Sequence, residues 1–294
     1  MIARAWRAWV ALMDREEPAT ALALVRILLA LVLLIDYLDV WRAGLIEPLY
    51  TRAPHGFAFG EAWLSATTAW ALAAVSLALI ALGAATRVAC IGFVLASAAL
   101  SHLTPDSESG LDMLARIVFV ILALSRCNAR WSVDAWLARR LGRPVPTQIP
   151  AWPRYLLLLQ LVWVYFSGGI NKSAAAWGPF GGFTALANAL SDPHAARFEP
   201  GWVGAIYPLT RLATAATMVF ELAAPLFLIA YARRWRLRWA WIALGASFEL
   251  GIALGLRLGS FPYGMLALFP LLLRPEDYAR LTARTPAKRP SSPS

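Results

Sequence analysis

Charge is scarce in this chain of 294 residues: only 15% are Asp, Glu, Lys or Arg, against 60% hydrophobic residues and a mean hydropathy of +0.59. That balance excludes an ordinary soluble protein, and no soluble domain of any size is expected. Acids are scarcer still, 17 against 27 Lys and Arg, for a net charge of +10. In a chain this apolar, a basic excess sets membrane topology, so no nucleic-acid partner is expected. Two cysteines, Cys90 and Cys127, exclude a disulfide framework and a CxxC knuckle, and no metal site is expected. No internal repeat is present. Residues 1–18 mix Trp6 and Trp9 with Arg4, Arg7 and Arg15 in place of an unbroken apolar core. They are expected to form an interfacial amphipathic helix and not a cleavable signal peptide.

Long hydrophobic runs are what the chain does have. They predict an all-α fold, a polytopic membrane helix bundle of about eight transmembrane helices, at 20–40, 67–83, 88–103, 111–125, 155–170, 209–230, 239–255 and 261–273. Several fall short of the roughly 20 residues of a full crossing, so 88–103 and 111–125 alternatively form a re-entrant pair, and seven to nine spans bracket the count. The bundle fills 19–281, and 282–294 reads as a disordered basic tail. With the N-terminus inside, 19 of the 27 basic residues fall on inner segments, 6 on outer ones, and Arg26 and Arg116 within spans. An even span count with both termini cytoplasmic follows, in a cell membrane. In the inner loop 126–154, Ser132 is placed as the N-cap of a short surface helix. The outer loop 171–208 is apolar enough to fold back onto the bundle.

Arg26, Asp36, Asp112, Arg116, Lys172, Glu221, Glu249 and Arg257 stand within or beside these runs. Each ionised group costs at least ~2.5 to 3.5 kcal/mol near a bilayer centre, so these side chains should face the interior and pair, or line a wet cavity. Arg116 follows Asp112 by one helical turn, which predicts a structural ion pair. Glu221 and Glu249 have no basic neighbour at helical spacing and must find partners on another helix, with Lys172, Arg257 and Arg26 as candidates. Pro225 frees the carbonyl of Glu221 and predicts a kink there. Lys172 follows Tyr165-Phe166-Ser167-Gly168-Gly169-Ile170, where the glycines admit a close neighbour. It either snorkels to the headgroups or serves as a general base.

The run QLVWVYFSGGINKSAAAW, together with ALALVRILLALVLLID, ARWSVDAWL and FELGIALGLRLGSFPYGMLALFPLLL in the same order, resembles the membrane domain of vitamin K-dependent gamma-carboxylase, the HTTM superfamily. The resemblance covers residues 21–281. It implies a helical bundle whose cavity binds a quinone or vitamin K-type hydroquinone and opens to the outer side. Lys172 matches the family lysine that deprotonates the hydroquinone. Arg26 and Asp36 match charged residues of the first span, and 132–134 match the inner-loop WSVD. The family histidine expected near 109–111 has no counterpart, the nearest being His102, and Glu249 stands where relatives usually carry a histidine.

Two functions are therefore expected as alternatives. In the first, the chain is a quinone- or lipid-binding membrane enzyme that modifies a small molecule or peptide, with Lys172 as base and Glu249 as its proton partner. Glu221, Arg26, Asp36, Asp112, Arg116 and Arg257 then bind ligand or pair structurally. No counterpart of the large lumenal carboxylase domain is expected, so gamma-carboxylation of a protein substrate is not. In the second, it is a non-catalytic membrane subunit, transporter or toxin-peptide maturation factor, working with the bilayer and a separately encoded soluble protein or peptide.

Overall fold

The structure, a computed structural model, describes residues 2–50, 63–104, 107–233 and 235–282. It is almost entirely helical: α1 (Ile2–Met13), α2 (Thr20–Arg42), α3 (Ile46–Leu49), α4 (Ala66–Leu82), α5 (Thr86–Leu103), α6 (Gly110–Leu124), α7 (Val133–Arg140), α8 (Trp152–Asn171), α9 (Ala185–Ser191), α10 (Tyr207–Leu222), α11 (Ala224–Arg233), α12 (Trp235–Gly255), α13 (Phe261–Ala267) and α14 (Pro275–Thr282). Two short strands, β1 (Glu16–Glu17) and β2 (Ile149–Pro150), pair antiparallel and tie the N-terminal segment to the start of α8. The tail expected over 282–294 lies, beyond Thr282, outside the described residues.

Three helices are long and apolar enough to cross a membrane, Thr20–Arg42, Thr86–Leu103 and Arg236–Gly255. The expected span at 155–170 lies within the 20-residue helix α8, and those at 67–83 and 111–125 are shorter helices of 17 and 15 residues. The segment 209–230 differs from a single span, because α10 ends at Leu222 and α11 starts at Ala224. Pro225 explains the break: it has no N–H to offer the carbonyl of Glu221. The last segment is shorter than expected, α13 followed by a 3-10 turn at Phe269–Leu272.

The packing forms two helix groups joined through α13. In the first, α4 packs against α2 and α5, and α5 packs against α6. Buried alanines at 69, 73, 89 and 96 let these backbones come close, as small residues do wherever lipid gives helices no hydrophobic reason to associate. Tyr37, Trp70, Phe93 and Phe119 fill the space between them. In the second group, α8 packs against α10 and α11, and α12 against α11 and α13. Apolar side chains such as Ile35, Val75, Val88 and Val219 point outward, the inverse of a soluble surface and the state expected of helices whose solvent is hydrocarbon. The segment between α8 and α10 folds back, as its composition predicts: the Arg197 N–H donates to Gly255 O and the Arg257 N–H to Ala195 O.

Arg26 is fully buried, so it does not snorkel, and it forms no ion pair among the described residues. Its Nη1 donates to Ile80 O and Ala81 O and its Nη2 to Trp131 O. Carbonyls in the last turn of α4 lack intrahelical donors and carry the negative end of the helix dipole, so a guanidinium satisfies both needs. Gly83 makes room, since a Cβ there would strike Ser132 and Arg26, and its left-handed φ of 68° ends α4. Asp134 supplies the converse at the start of α5, accepting from the Ala85 and Thr86 N–H groups, the Thr86 hydroxyl and Asn128. Ser132 caps α7, as expected, accepting from the Ala135 N–H.

Burial opposes charge on Asp134, but the hydrogen bonds from Asn128, Thr86 and Ala85 outweigh it and hold the carboxyl below the usual carboxylate range. Asp134→Ala should cost about 2 to 3 kcal/mol, read as a lowered unfolding temperature at pH 7. A depressed folded-state value means that this stabilisation is complete above the unfolded value of about 4 and is lost as pH falls through the folded one. The gap between wild type and Asp134→Ala should therefore close in acid, and a gap constant down to the lowest pH would show that the charge contributes nothing.

Candidate functional site

Tyr165, the Gly168-Gly169 pair and Lys172 follow at spacings of three and four along the end of α8, which places them on one face. Against that face lies α10. A Cβ on Gly169 would sit 3.1 Å from Glu221 Cβ and 3.0 Å from Leu222 Cδ2, so any larger residue would push the helices apart. This close approach brings the Glu221 carboxylate to the ammonium of Lys172. Nζ lies 2.7 and 2.6 Å from the two carboxylate oxygens and 3.3 Å from Gly168 O. An ammonium has three protons, and here each has an acceptor. The ring of Trp177, 4.9 Å from Nζ, lies under the same charge. Glu221 is the more deeply buried partner, with 6% of its side chain exposed against 21% for Lys172.

Two turns before Lys172, the Tyr165 hydroxyl donates to Glu249 Oε1 of α12 at 2.6 Å. Glu249 is fully buried, and its Oε2 has no hydrogen-bond partner among the described residues. Around the pair stand Phe220, Phe248 and Trp241, with ring centroids 5.1, 6.2 and 6.5 Å from that of Tyr165. The two glutamates are near enough to act on each other electrostatically, yet each has its own partner, so the expected cluster of Lys172, Glu221 and Glu249 resolves into two adjacent pairs.

Phe220 and Phe248 have a second role. They also line a half-open cavity of about 520 Å³ between α9, α10 and α12, which Leu186, Trp202 and Leu256 border and whose polar side chains include Thr217 and Ser247. An apolar molecule of quinone or isoprenoid size fits this lining, whereas Lys172, Glu221 and Glu249 are not part of the wall. A neighbouring apolar recess of about 540 Å³ shares Ala216, Phe220 and Leu244 with it and continues past Phe227 and Trp241.

The remaining charged positions lie elsewhere. Arg116 does not pair with Asp112: it pairs with Glu108 and donates to Ser97 Oγ. Asp112 is engaged from the other direction, its carboxylate accepting from the Ser109 N–H and hydroxyl in a reciprocal cap of α6. The helical spacing is as expected, but the helix start competes for the acid. Asp36 is half-buried near Ser260 and Asp112, apart from the two pairs. Arg257 has an exposed side chain and no ion pair among the described residues, because its backbone is bound into the bridge with Ala195 and Ala196. Tyr165, the one site residue that sequence reasoning passed over, had a signal in its seven-residue spacing from Lys172.

The HTTM domain profile matches residues 14–276, nearly the whole chain. The chain belongs to the HTTM domain family. No curated protein and no solved structure matches it. HTTM membership and the apolar helices together make it a membrane protein related to gamma-carboxylase-like proteins. Within this HTTM chain the buried carboxylate of Glu249 depends on one donor. Tyr165→Phe should cost about 1 to 3 kcal/mol, because it leaves the acid buried with no partner at all. Replacing both sides, Tyr165→Phe with Glu249→Met, should recover most of that loss. Equal losses in the single and double variants, measured by thermal unfolding in detergent, would mean that the hydroxyl and the acid are not coupled.

Proposed function

We propose that this chain is a multi-pass protein of the cell membrane, with about eight transmembrane helices and both termini cytoplasmic, that binds an apolar quinone- or lipid-sized molecule between α9, α10 and α12. On this reading Lys172 and Glu221 form a proton-handling pair near the outer face, and Tyr165 with Glu249 a second, more deeply buried one. The observation that carries it is the double use of Phe220 and Phe248, which line the apolar cavity and also pack against Tyr165. Topology is supported by the basic residues gathered on the segments that alternate with the apolar helices.

A quinone, when bound, supplies two-electron, two-proton chemistry. The apolar walls would hold its tail and ring, with Thr217 and Ser247 as the hydrogen-bonding positions. The protein's own part is to exclude water and hold protons at Lys172 Nζ, Glu221 and Glu249 Oε2. Lys172 itself lies outside the wall of this cavity. A second reading, a non-catalytic subunit, transporter or maturation factor, is favoured by the saturation of the Lys172 ammonium, which a purely structural ion pair would also show.

Protein extracted in mild detergent should carry about one equivalent of a quinone or isoprenoid lipid, identified by solvent extraction and mass spectrometry. Gly251 lines the cavity with nothing within 4 Å of its would-be Cβ, so Gly251→Phe should fill the space and abolish retention without unfolding. Retention unchanged in a folded Gly251→Phe would remove the cavity from the argument. In cells lacking the native gene, Lys172→Met should fold and fail to restore function. Full restoration excludes catalysis by Lys172, and misfolding of Glu221→Leu that is cured by adding Lys172→Met marks the pair as structural.

A further inference from the structure

At the end of the bundle opposite Lys172, a second cavity of about 540 Å³ opens between α1, α8, α11 and α14. Its floor is a cluster of buried charge. Arg154, 3% exposed, donates from Nε to Glu17 at 2.6 Å and from Nη1 to the Tyr231 hydroxyl at 2.5 Å, while Nη2 has no partner among the described residues. Three guanidiniums surround the Tyr231 ring: Arg274 at 5.0 Å, Arg238 at 5.7 Å and Arg154 at 6.0 Å. Arg238, also 3% exposed, binds Asp277 through Nη2 at 2.7 and 2.9 Å and keeps Nε and Nη1 buried with no hydrogen-bond partner. Of these, Arg154, Arg274 and Glu17 line the cavity and leave one positive charge in excess, with the donors of Arg274 and Nη2 of Arg154 unspent, while Arg238 and Asp277 pair with each other outside its lining.

The rim has the opposite sign. Arg15, Glu16 and Glu276 are exposed there and leave one negative charge in excess. Above the floor, Leu158, Leu159 and Leu228 form an apolar wall one turn along α8 and α11 from Arg154 and Tyr231. Trp9 and Leu12 of α1 close it from the interface side. Trp6 and Trp9, both exposed, give α1 the aromatic anchors of a helix lying at a membrane surface.

We propose that this cavity binds one phospholipid with a zwitterionic amine headgroup, of the phosphatidylethanolamine class. The phosphate meets the unspent guanidinium donors beside Tyr231, the ammonium meets Glu16 and Glu276, and an acyl chain follows the leucine wall. Basic pockets between membrane helices hold phosphate headgroups in this way. The negative rim separates phosphatidylethanolamine from an anionic lipid, which brings no cation to Glu16 and Glu276, and from phosphatidylcholine, whose quaternary ammonium has no N–H to donate to them.

The test uses the full chain in nanodiscs of phosphatidylcholine alone, or with phosphatidylethanolamine or phosphatidylglycerol added. The expected result is a rise in unfolding temperature with phosphatidylethanolamine only, and one copy of that lipid retained in native mass spectra. Arg274→Gln should weaken retention about tenfold, and Glu16→Gln with Glu276→Gln should move the preference toward phosphatidylglycerol. Retained lipid in the bulk ratio, or a preference for phosphatidylglycerol in the unmutated protein, overturns the proposal. So does equal stabilisation by glycerophosphoethanolamine, which would mark a site for a soluble phosphate compound. The lipid dependence of the unmutated protein decides the matter even where a variant fails to fold.

Discussion

The ammonium of Lys172 gives two protons to the Glu221 carboxylate and one to Gly168 O, and the way α8 meets α10 follows from that saturation. Breaking a buried pair by removing one partner costs about 3 to 5 kcal/mol, because the other charge stays behind unmatched. Such a penalty fixes the helices in register more sharply than apolar side chains can, since lipid is as good a solvent for leucine as another helix is. The glycine at 169 is the geometric condition for it. Without a Cβ on that face the carboxylate stem can approach the backbone of α8, and the same contact sets Phe220 between the apolar cavity and Tyr165.

The first helix group solves the same problem by other means. Arg26 forms no ion pair among the described residues and is held by carbonyls at the end of α4, while Asp134 is held by amides at the start of α5. Each charge thus sits at the helix terminus whose dipole favours it. This spends the unpaired backbone groups of a tight turn on charges that would otherwise be stranded, and leaves neither Arg26 nor Asp134 free for chemistry. The contrast bears on function. Arg26 and Asp134 are consumed by architecture, whereas in α8, α10 and α12 a carboxylate oxygen of Glu249 is left over.

Much of this was legible in the sequence, for physical reasons. Apolar runs locate helices because hydrocarbon leaves the backbone no other partner, and Pro225 marks the break after α10 because proline cannot donate. That Glu221 needed a partner from another helix follows from its lack of basic neighbours, and the glycines before Lys172 indicated where a helix could come close. What was not legible depends on competition. Helical spacing offers Asp112 to Arg116, but Ser109 takes the acid and Glu108 takes the arginine. Arg154 reads as one more basic loop residue, yet Glu17, far away in sequence, buries it through the β1–β2 pairing. Arg257 reads as an intramembrane charge, yet the backbone bridge to Ala196 turns its side chain out to the surface.

On the proposed reading, the saturated lysine is less of an obstacle to proton chemistry than it first seems. A lone lysine that gave up a proton inside the bundle would change the charge of its surroundings, at the full cost of low dielectric. Lys172 and Glu221 carry no net charge together, whether the proton rests on nitrogen or on oxygen, so its passage between them strands no net charge and only replaces the dipole of an ion pair by two neutral groups. The amine is then freed by a shift of the proton along an existing hydrogen bond of 2.6 Å, with no charge left uncompensated. Glu249, fully buried and with one oxygen unengaged among the described residues, is held by Tyr165, two helical turns from Lys172 on the same face of α8. A pair that can rearrange a proton at constant charge, beside an acid with room for one, is the arrangement a sheltered membrane site needs before any substrate arrives.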